Sequence, residues 1–283
     1  MARVFKWLGI AVGVAAVLGI AAFYIASNAI IYRHYPIVPS NLDVVSTQQT
    51  IAAGKHLVQI DGCTGCHGTD LAGRDFSDEY PGITLWTRNL SIVAKHFSNA
   101  DFDRAVRQGL RADGTSLMLM PSEAYAAMPD DELADIVAYL RSIPAKGEEH
   151  PQTAFGLETR WAFLRGDLDT VRMTLAAEKH PLDLGPHFAL GRHLAIMSCA
   201  ECHGGALQGE QWPGPISPPD LTIAAAYDKP EFVKFMRTGK AAGNRELPLM
   251  SDIARMRGGH FTDAEMSALY DYLAARGKKL TGQ

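Results

Sequence analysis

The sequence predicts an all-α protein: one membrane-length helix at the N-terminus, then two small helical domains related by duplication. Three observations carry this prediction. An uncharged run, "WLGIAVGVAAVLGIAAFYIA", fills residues 7–26. Apolar residues recur at the helical i, i+3, i+4, i+7 spacing in both halves of the chain, whereas strand signals are sparse. The five-residue word Cys-x-x-Cys-His occurs twice and uses all four cysteines of the 283 residues.

The N-terminal helix comes first. Arg3 and Lys6 precede the uncharged run, and at about 1.5 Å per residue about 20 residues cross the hydrocarbon core of a bilayer. A cleaved signal peptide is the competing reading. Its apolar region is shorter, about 7–15 residues, although Ser27-Asn28-Ala29 has the small residues of a cleavage site. The length of the run and its apolar continuation to Ile31 favour a retained anchor over residues 1–31, followed by a linker over 32–47. A buried soluble helix is disfavoured because the run has no polar face. The cationic end stays in the cytoplasm, so everything after Tyr32 lies outside.

The remaining length suits two modest domains. Charged residues make up 20% and hydrophobic residues 47%, a globular balance that excludes wholesale disorder. A net charge of −4 leaves no basic footprint for nucleic acid. Four clustered cysteines are too few for a disulfide scaffold and point to local chemistry.

An internal repeat locates the domains. "AGKHLVQIDGCTGCHGTDLAG" (53–73) parallels "LGRHLAIMSCAECHGGALQG" (190–209) with one residue deleted. "FDRAVRQGLRADGTSLMLM" (102–120) parallels "FVKFMRTGKAAGNRELPLM" (232–250) without a gap, matching Phe102 to Phe232, Arg107 to Arg237 and Gly109 to Gly239. Both glycines end short helical stretches and fit helix C-caps. The last helix of each copy is amphipathic. Leu133, Ile136, Val137 and Leu140 form its apolar face in the first, with Pro129 suited to the first turn. Met266, Leu269, Tyr270 and Leu273 form it in the second, where Thr262 and Glu265 have capping-box spacing. The domains are therefore placed at 48–146 and 185–283. Residues 147–184 are too long for a plain loop and hold Trp161, Phe163 and Leu164, which call for burial, so a strap across both domains is expected.

The repeated word comprises Cys63, Cys66 and His67, then Cys199, Cys202 and His203. Zinc ligation by two Cys-x-x-Cys pairs expects them about 15–20 residues apart, and these lie in different repeats. A thioredoxin-like pair expects a strand-turn-helix setting and has no use for the histidine. Covalent haem attachment uses the word as written: two thioethers from Cys63 and Cys66, or from Cys199 and Cys202, and an adjacent imidazole for the iron. The sequence therefore predicts two covalently bound haem c groups.

At these residues the chain resembles tandem class I cytochrome c domains. It is more narrowly similar to the cytochrome subunits serving bacterial periplasmic alcohol, aldehyde and sugar-acid dehydrogenases. The stretches "GKHLVQIDGCTGCHGTDLAG", "MPDDELADIVAYLRSIP", "GRHLAIMSCAECHGGALQG" and "HFTDAEMSALYDYLAARG" carry the likeness. Those subunits often hold a further haem for which this chain has no attachment word. The resemblance implies an electron carrier at the periplasmic face of the inner membrane, not an enzyme. Its partner would be a dehydrogenase, a quinone-linked complex or an oxidase.

The sixth iron ligand is commonly methionine. Met120 lies 11 residues after Gly109, and Met250 lies 11 residues after Gly239. Met118, Met128, Met256 and Met266 have no such counterpart. His67/Met120 and His203/Met250 are therefore the expected axial pairs. His56 and His193 also match in the repeat; on the helix that bears the attachment word they are given a structural role. His34, His96, His150, His180, His187 and His260 are expected at the surface. By the resemblance, a proline carbonyl, from Pro81 or Pro215, holds each axial histidine. Trp86 and Arg88 are candidate propionate contacts, and Gly54 and Gly191 pack the first helix against Tyr139 and Tyr272 on the last. Two other functions compete: a dihaem subunit of a haem-copper terminal oxidase, and a dihaem peroxidase with one open iron. The oxidase subunits usually carry a Trp- and Pro-rich motif before the membrane helix, where this chain has six residues before Trp7. Matched methionines argue against the peroxidase.

Overall fold

The computed structural model describes residues 2–80, 82–176, 179–211 and 216–282. The fold is all-α. Helix α1 (Ala2–Ile31) is uncharged after Lys6 and carries no acidic residue. The first domain contains α2 (Gln48–Ile60), α3 (Cys63–His67), α4 (Leu90–Val93), α5 (Asn99–Arg107), α6 (Ser122–Tyr125) and α7 (Asp130–Ser142). Helices α8 (Leu157–Arg165) and α9 (Val171–Ala176) follow. The second domain contains α10 (Ala189–His203), α11 (Lys229–Thr238), α12 (Met250–Gly258) and α13 (Asp263–Thr281). Among the described residues, β structure is limited to two antiparallel ladders of two-residue strands, β1 (Ile83–Thr84) with β2 (Ala154–Phe155) and β3 (Lys240–Ala241) with β4 (Arg245–Glu246), and to isolated bridges such as His34 with Thr115.

In each domain the first helix crosses the last at close range, α2 on α7 and α10 on α13. The approach is close because a glycine faces a carbonyl. A Cβ on Gly54 would lie 1.8 Å from the Asp135 oxygen, and one on Gly191 would lie 2.1 Å from the Ala268 oxygen. The carbonyl one turn before the tyrosine is thus the nearest neighbour at both crossings, rather than an aromatic ring; Tyr272 adds its Cβ at the second. Leu133, Ile136, Val137 and Leu140 are buried on α7 as expected. Pro129 stands one position earlier than expected, at the N-cap. On α13 the buried face is Met266, Leu269, Tyr272 and Leu273; Tyr270 is only half-buried, and the Thr262–Glu265 capping box is present.

The one-residue difference between the repeats has a structural meaning. In the second domain α10 runs unbroken through Cys199–His203. In the first, the helix stops at Ile60, and Gly62, at φ +84°, turns the chain before α3 begins at Cys63. Only glycine enters that left-handed region without strain.

The connecting segment clasps the first domain and reaches the second. Strand β2 pairs with β1, the Val171 amide donates to the Leu117 carbonyl at 3.2 Å, and the Leu182 carbonyl accepts from Tyr272 Oη at 2.8 Å. Phe163 is buried. Trp161 is not: it is 52% exposed and stacks on Phe23 of α1, with ring centroids 6.2 Å apart. Its ring contact is with the N-terminal helix rather than with either helical domain. A continuous apolar cluster joins the domains, containing Leu133, Ile136 and Val137 with Leu194, Met266 and Leu269.

Candidate haem sites

Each attachment word ends in a tight turn that the sequence did not signal. Beyond His67, Leu71 adopts φ +61° and its amide donates to the Gly68 carbonyl. Leu207 does the same after His203, at φ +59°, donating to Gly204. The Gly73 and Gly209 amides close each turn on the His67 and His203 carbonyls at 2.8 Å. Left-handed leucine is strained, and burial at 2% and 0% exposure holds both side chains in place.

The turns fix the imidazoles. His67 Nδ1 donates to the Arg88 carbonyl at 2.8 Å, and His203 Nδ1 donates to the Pro219 carbonyl at 2.7 Å. That tautomer leaves Nε2 as the lone-pair donor for a metal. Burial lowers the pKa of both histidines and keeps them neutral. The anchoring carbonyls correct the expectation of Pro81 and Pro215, which lie outside the described residues. Arg88 acts here through its backbone; its guanidinium approaches Glu149 at 3.7 Å. Trp86 stacks on His150, centroids 4.3 Å apart, and His150 Nε2 donates to the Ala72 carbonyl. His150 is therefore half-buried, not a surface residue, while His34, His96, His180, His187 and His260 are exposed.

Cys63, Cys66, Cys199 and Cys202 are free thiols. Withdrawal from solvent pushes Cys63, Cys199 and Cys202 up to about 12 and Cys66 to about 11. A redox-active Cys-x-x-Cys pair needs the opposite shift. The donor set fits haem c: two thiols and a neutral, oriented imidazole on one helical segment in each domain. Such a group, when bound, supplies one-electron chemistry at iron.

Met120 and Met250 are both half-buried against the main apolar cluster. A buried serine, Ser122 two residues after Met120 and Ser251 directly after Met250, lies near the glycine that ends the preceding helix. Ser122 Oγ donates to Ala105 at 3.2 Å and would touch a Cβ on Gly109; Ser251 Oγ donates to the Gly239 carbonyl at 2.5 Å. Gly109 and Gly239 are left-handed, as helix ends of this kind require. Leu249 carries strain at φ 60°, ψ −54°, directly before Met250. Met128 and Met266 are core residues, Met118 packs with Cys66 in a smaller cluster, and Met256 lies over Gly65.

His56 and His193 occupy the domain interface. His56 Nε2 donates to Glu265 of the second domain at 2.8 Å, and His193 Nε2 donates to Glu132 of the first at 2.8 Å. The pairs are reciprocal. Each joins the first helix of one domain to the N-terminus of the last helix of the other. The pattern gives the interface an approximate twofold character. Near its centre Asp61 is 1% exposed, and burial together with Glu132 raises its pKa to about 8. Sequence comparison within the chain paired the histidines, but only the packing revealed their partners.

A pinned imidazole after Cys-x-x-Cys, twice over in an all-α chain, defines a c-type cytochrome. The chain belongs to the cytochrome c family, whose pattern matches residues 51–144 and 188–276. It is 24% identical to the fructose dehydrogenase cytochrome subunit of Gluconobacter japonicus, over 79% of this chain and 52% of that one. It is 23% identical to the cytochrome c subunit of the quinone alcohol dehydrogenase of Gluconobacter oxydans (79% and 54% covered). The gluconate 2-dehydrogenase cytochrome c subunit of Pantoea cypripedii is also 23% identical (82% and 61%). The chain thus spans about half the length of the curated relatives it matches.

Proposed function

We propose that this chain is a membrane-anchored dihaem electron carrier, with its haem domains on the periplasmic side, serving a dehydrogenase. The observation that carries the reading is the twin site: two attachment words, each with its imidazole turned by a backbone carbonyl to present Nε2. In this reading Cys63 and Cys66 hold one haem and Cys199 and Cys202 the other, with His67/Met120 and His203/Met250 as axial pairs. Residues 48–146 and 185–283 are the two haem-bearing units, and 147–184 the strap. The dehydrogenase follows from likeness to the cytochrome subunits above.

Retention of α1 is supported by its docking. Ser27 and Ile31 are buried, at 0% and 2% exposure. Arg160 of α8 donates to Ser27 Oγ at 3.0 Å and Asn28 Oδ1 at 2.7 Å, and lies over the Tyr24 ring. Cleavage after Asn28 would remove those partners together with Phe23, on which Trp161 stacks, so the seat that α8 offers α1 would be lost. The test is purification of the full chain from native membranes. After a high-salt wash the protein is expected in the membrane fraction with α1 in its intact mass. Acid-acetone extraction should leave two c-type haems per chain by pyridine spectrum. Haem lost to the solvent, or one haem per chain, overturns the reading.

A further inference from the structure

One side chain touches the backbone beside both attachment words. Arg257, on the last turn of α12, is 3% exposed. Its Nη1 donates to the Ser198 carbonyl at 2.8 Å, and Nη2 pairs with Glu201. Ser198 precedes Cys199, and Glu201 precedes Cys202. The opposite face of the guanidinium lies on Gly62 of the first domain, the residue before Cys63. A Cβ at Gly62 would stand 2.0 Å from Nη2. The neighbouring Met256 covers Gly65, its Sδ 3.2 Å from the position of a Cβ there. The notch that admits the guanidinium is the left-handed turn at Gly62, made by the extra residue of the first repeat. The second repeat, with α10 unbroken, has no equivalent.

We propose that Arg257 is a positioning residue shared by both haem sites, one buried cation that sets their two reduction potentials together. The inference rests on the dihaem reading above. A fixed charge withdrawn from water acts through a low effective dielectric and is little screened by salt. A cation favours the more reduced, less positive state of a nearby redox centre. Arg257 has contact with the backbone beside both words, so its field reaches both sites. Glu201, between Cys199 and Cys202, offsets that field from the same pair. Arg276 is a natural contrast: it is 2% exposed and pairs with Asp220, but its carbonyl partners, Ala206 and Leu207, follow the second word only.

The experiment is a redox titration of the full-length chain in detergent, after the haem count has established two haems per chain. Arg257→Met is expected to lower both midpoint potentials, and Glu201→Gln to raise both. Arg276→Met should move at most one. Gly62→Ala, which pushes the guanidinium off the first word, should shift the two potentials unequally. If Arg257→Met does not fold, Arg257→Lys and Glu201→Gln still decide the matter. Lysine keeps the charge but loses the two-sided contact, so it should separate the potentials. A single haem per chain would sink the underlying reading. Two haems with only one potential responding to Glu201→Gln, or both variants shifting in the same direction, would overturn the shared role of Arg257 and leave the dihaem reading intact.

Discussion

At the scale of single residues, the two sites are defined by which nitrogen each histidine gives away. Both imidazoles spend Nδ1–H on a backbone carbonyl, Arg88 in one case and Pro219 in the other. The acceptors lie 21 and 16 residues from their histidines, and spacing that differs between repeats gives no motif to read. The methionines are the opposite case. Met120 and Met250 share an offset from a helix-ending glycine, and Ser122 and Ser251, two residues and one residue further on, tie the chain back to that helix end. Replacing Met120 by His should lower one haem potential and leave the other nearly unchanged, because thioether favours ferrous iron relative to a second imidazole. Met250→His should do the same for the other haem. Met118→Leu and Met128→Leu should keep both potentials close to wild type, since volume-conserving exchanges of packing residues are tolerated. Loss of half the thioether-to-iron absorption in Met118→Leu, with retention in Met120→Leu, would reassign the ligand of the first domain.

At the scale of elements, the crossing of first and last helices sets the frame of each domain. Gly54 and Gly191 permit it, and their neighbours are backbone atoms that have little room to move. Gly54→Ala should therefore cost about 3 kcal/mol, at the upper end for overpacking, even though alanine is the better helix former. Gly191→Ala should behave alike. Denaturant midpoints with haem retained would measure this, and a neutral or stabilising effect would mean the helices can part without loss. The helices themselves were legible: α7 follows from its period, and α13 from period and capping box. The break at Gly62 was visible only as a one-residue mismatch, because a gap in an alignment does not say which residue turns.

At the scale of the whole molecule, the His193–Glu132 pair and a buried aspartate make the domain interface sensitive to pH. His193 faces Glu132, Asp131 and Asp61, and its hydrogen bond to Glu132 raises its pKa above 6.5. Its contribution is fully present below about pH 6.5 and is lost as pH rises through the folded-state value. Asp61 acts in the same direction. Its folded pKa of about 8 stands above the ordinary 3.8, so between those values unfolding releases a proton and stability falls as pH rises. The denaturant midpoint should thus decline from pH 5 to pH 8. Asp61→Asn should flatten that slope. His193→Gln should remove a further part and lower stability by about 0.5–1 kcal/mol at pH 5, the scale of a half-exposed pair. A midpoint that rises over the same interval would show that the interface does not carry these protons.

The attachment words, the duplication, the all-α class and the apolar N-terminal helix were all readable from residue order, because each rests on local spacing: a five-residue covalent motif, a 3.6-residue period, a run of about 20 apolar residues. The partners of the conserved-looking positions within the repeat were not. Glu265, read only as the capping-box partner of Thr262, faces His56 of the opposite domain, and Glu132, which no motif singles out, faces His193. Trp161, expected to be buried in a strap across both domains, is half-exposed and lies against Phe23. Arg257 carried no motif at all, yet it lies between Cys63 and Cys199, which are 136 positions apart in the chain. Contacts of that separation depend on how two finished surfaces meet. Local sequence spacing encodes the surfaces, and their docking is settled by the shape and charge that appear only once both domains have folded.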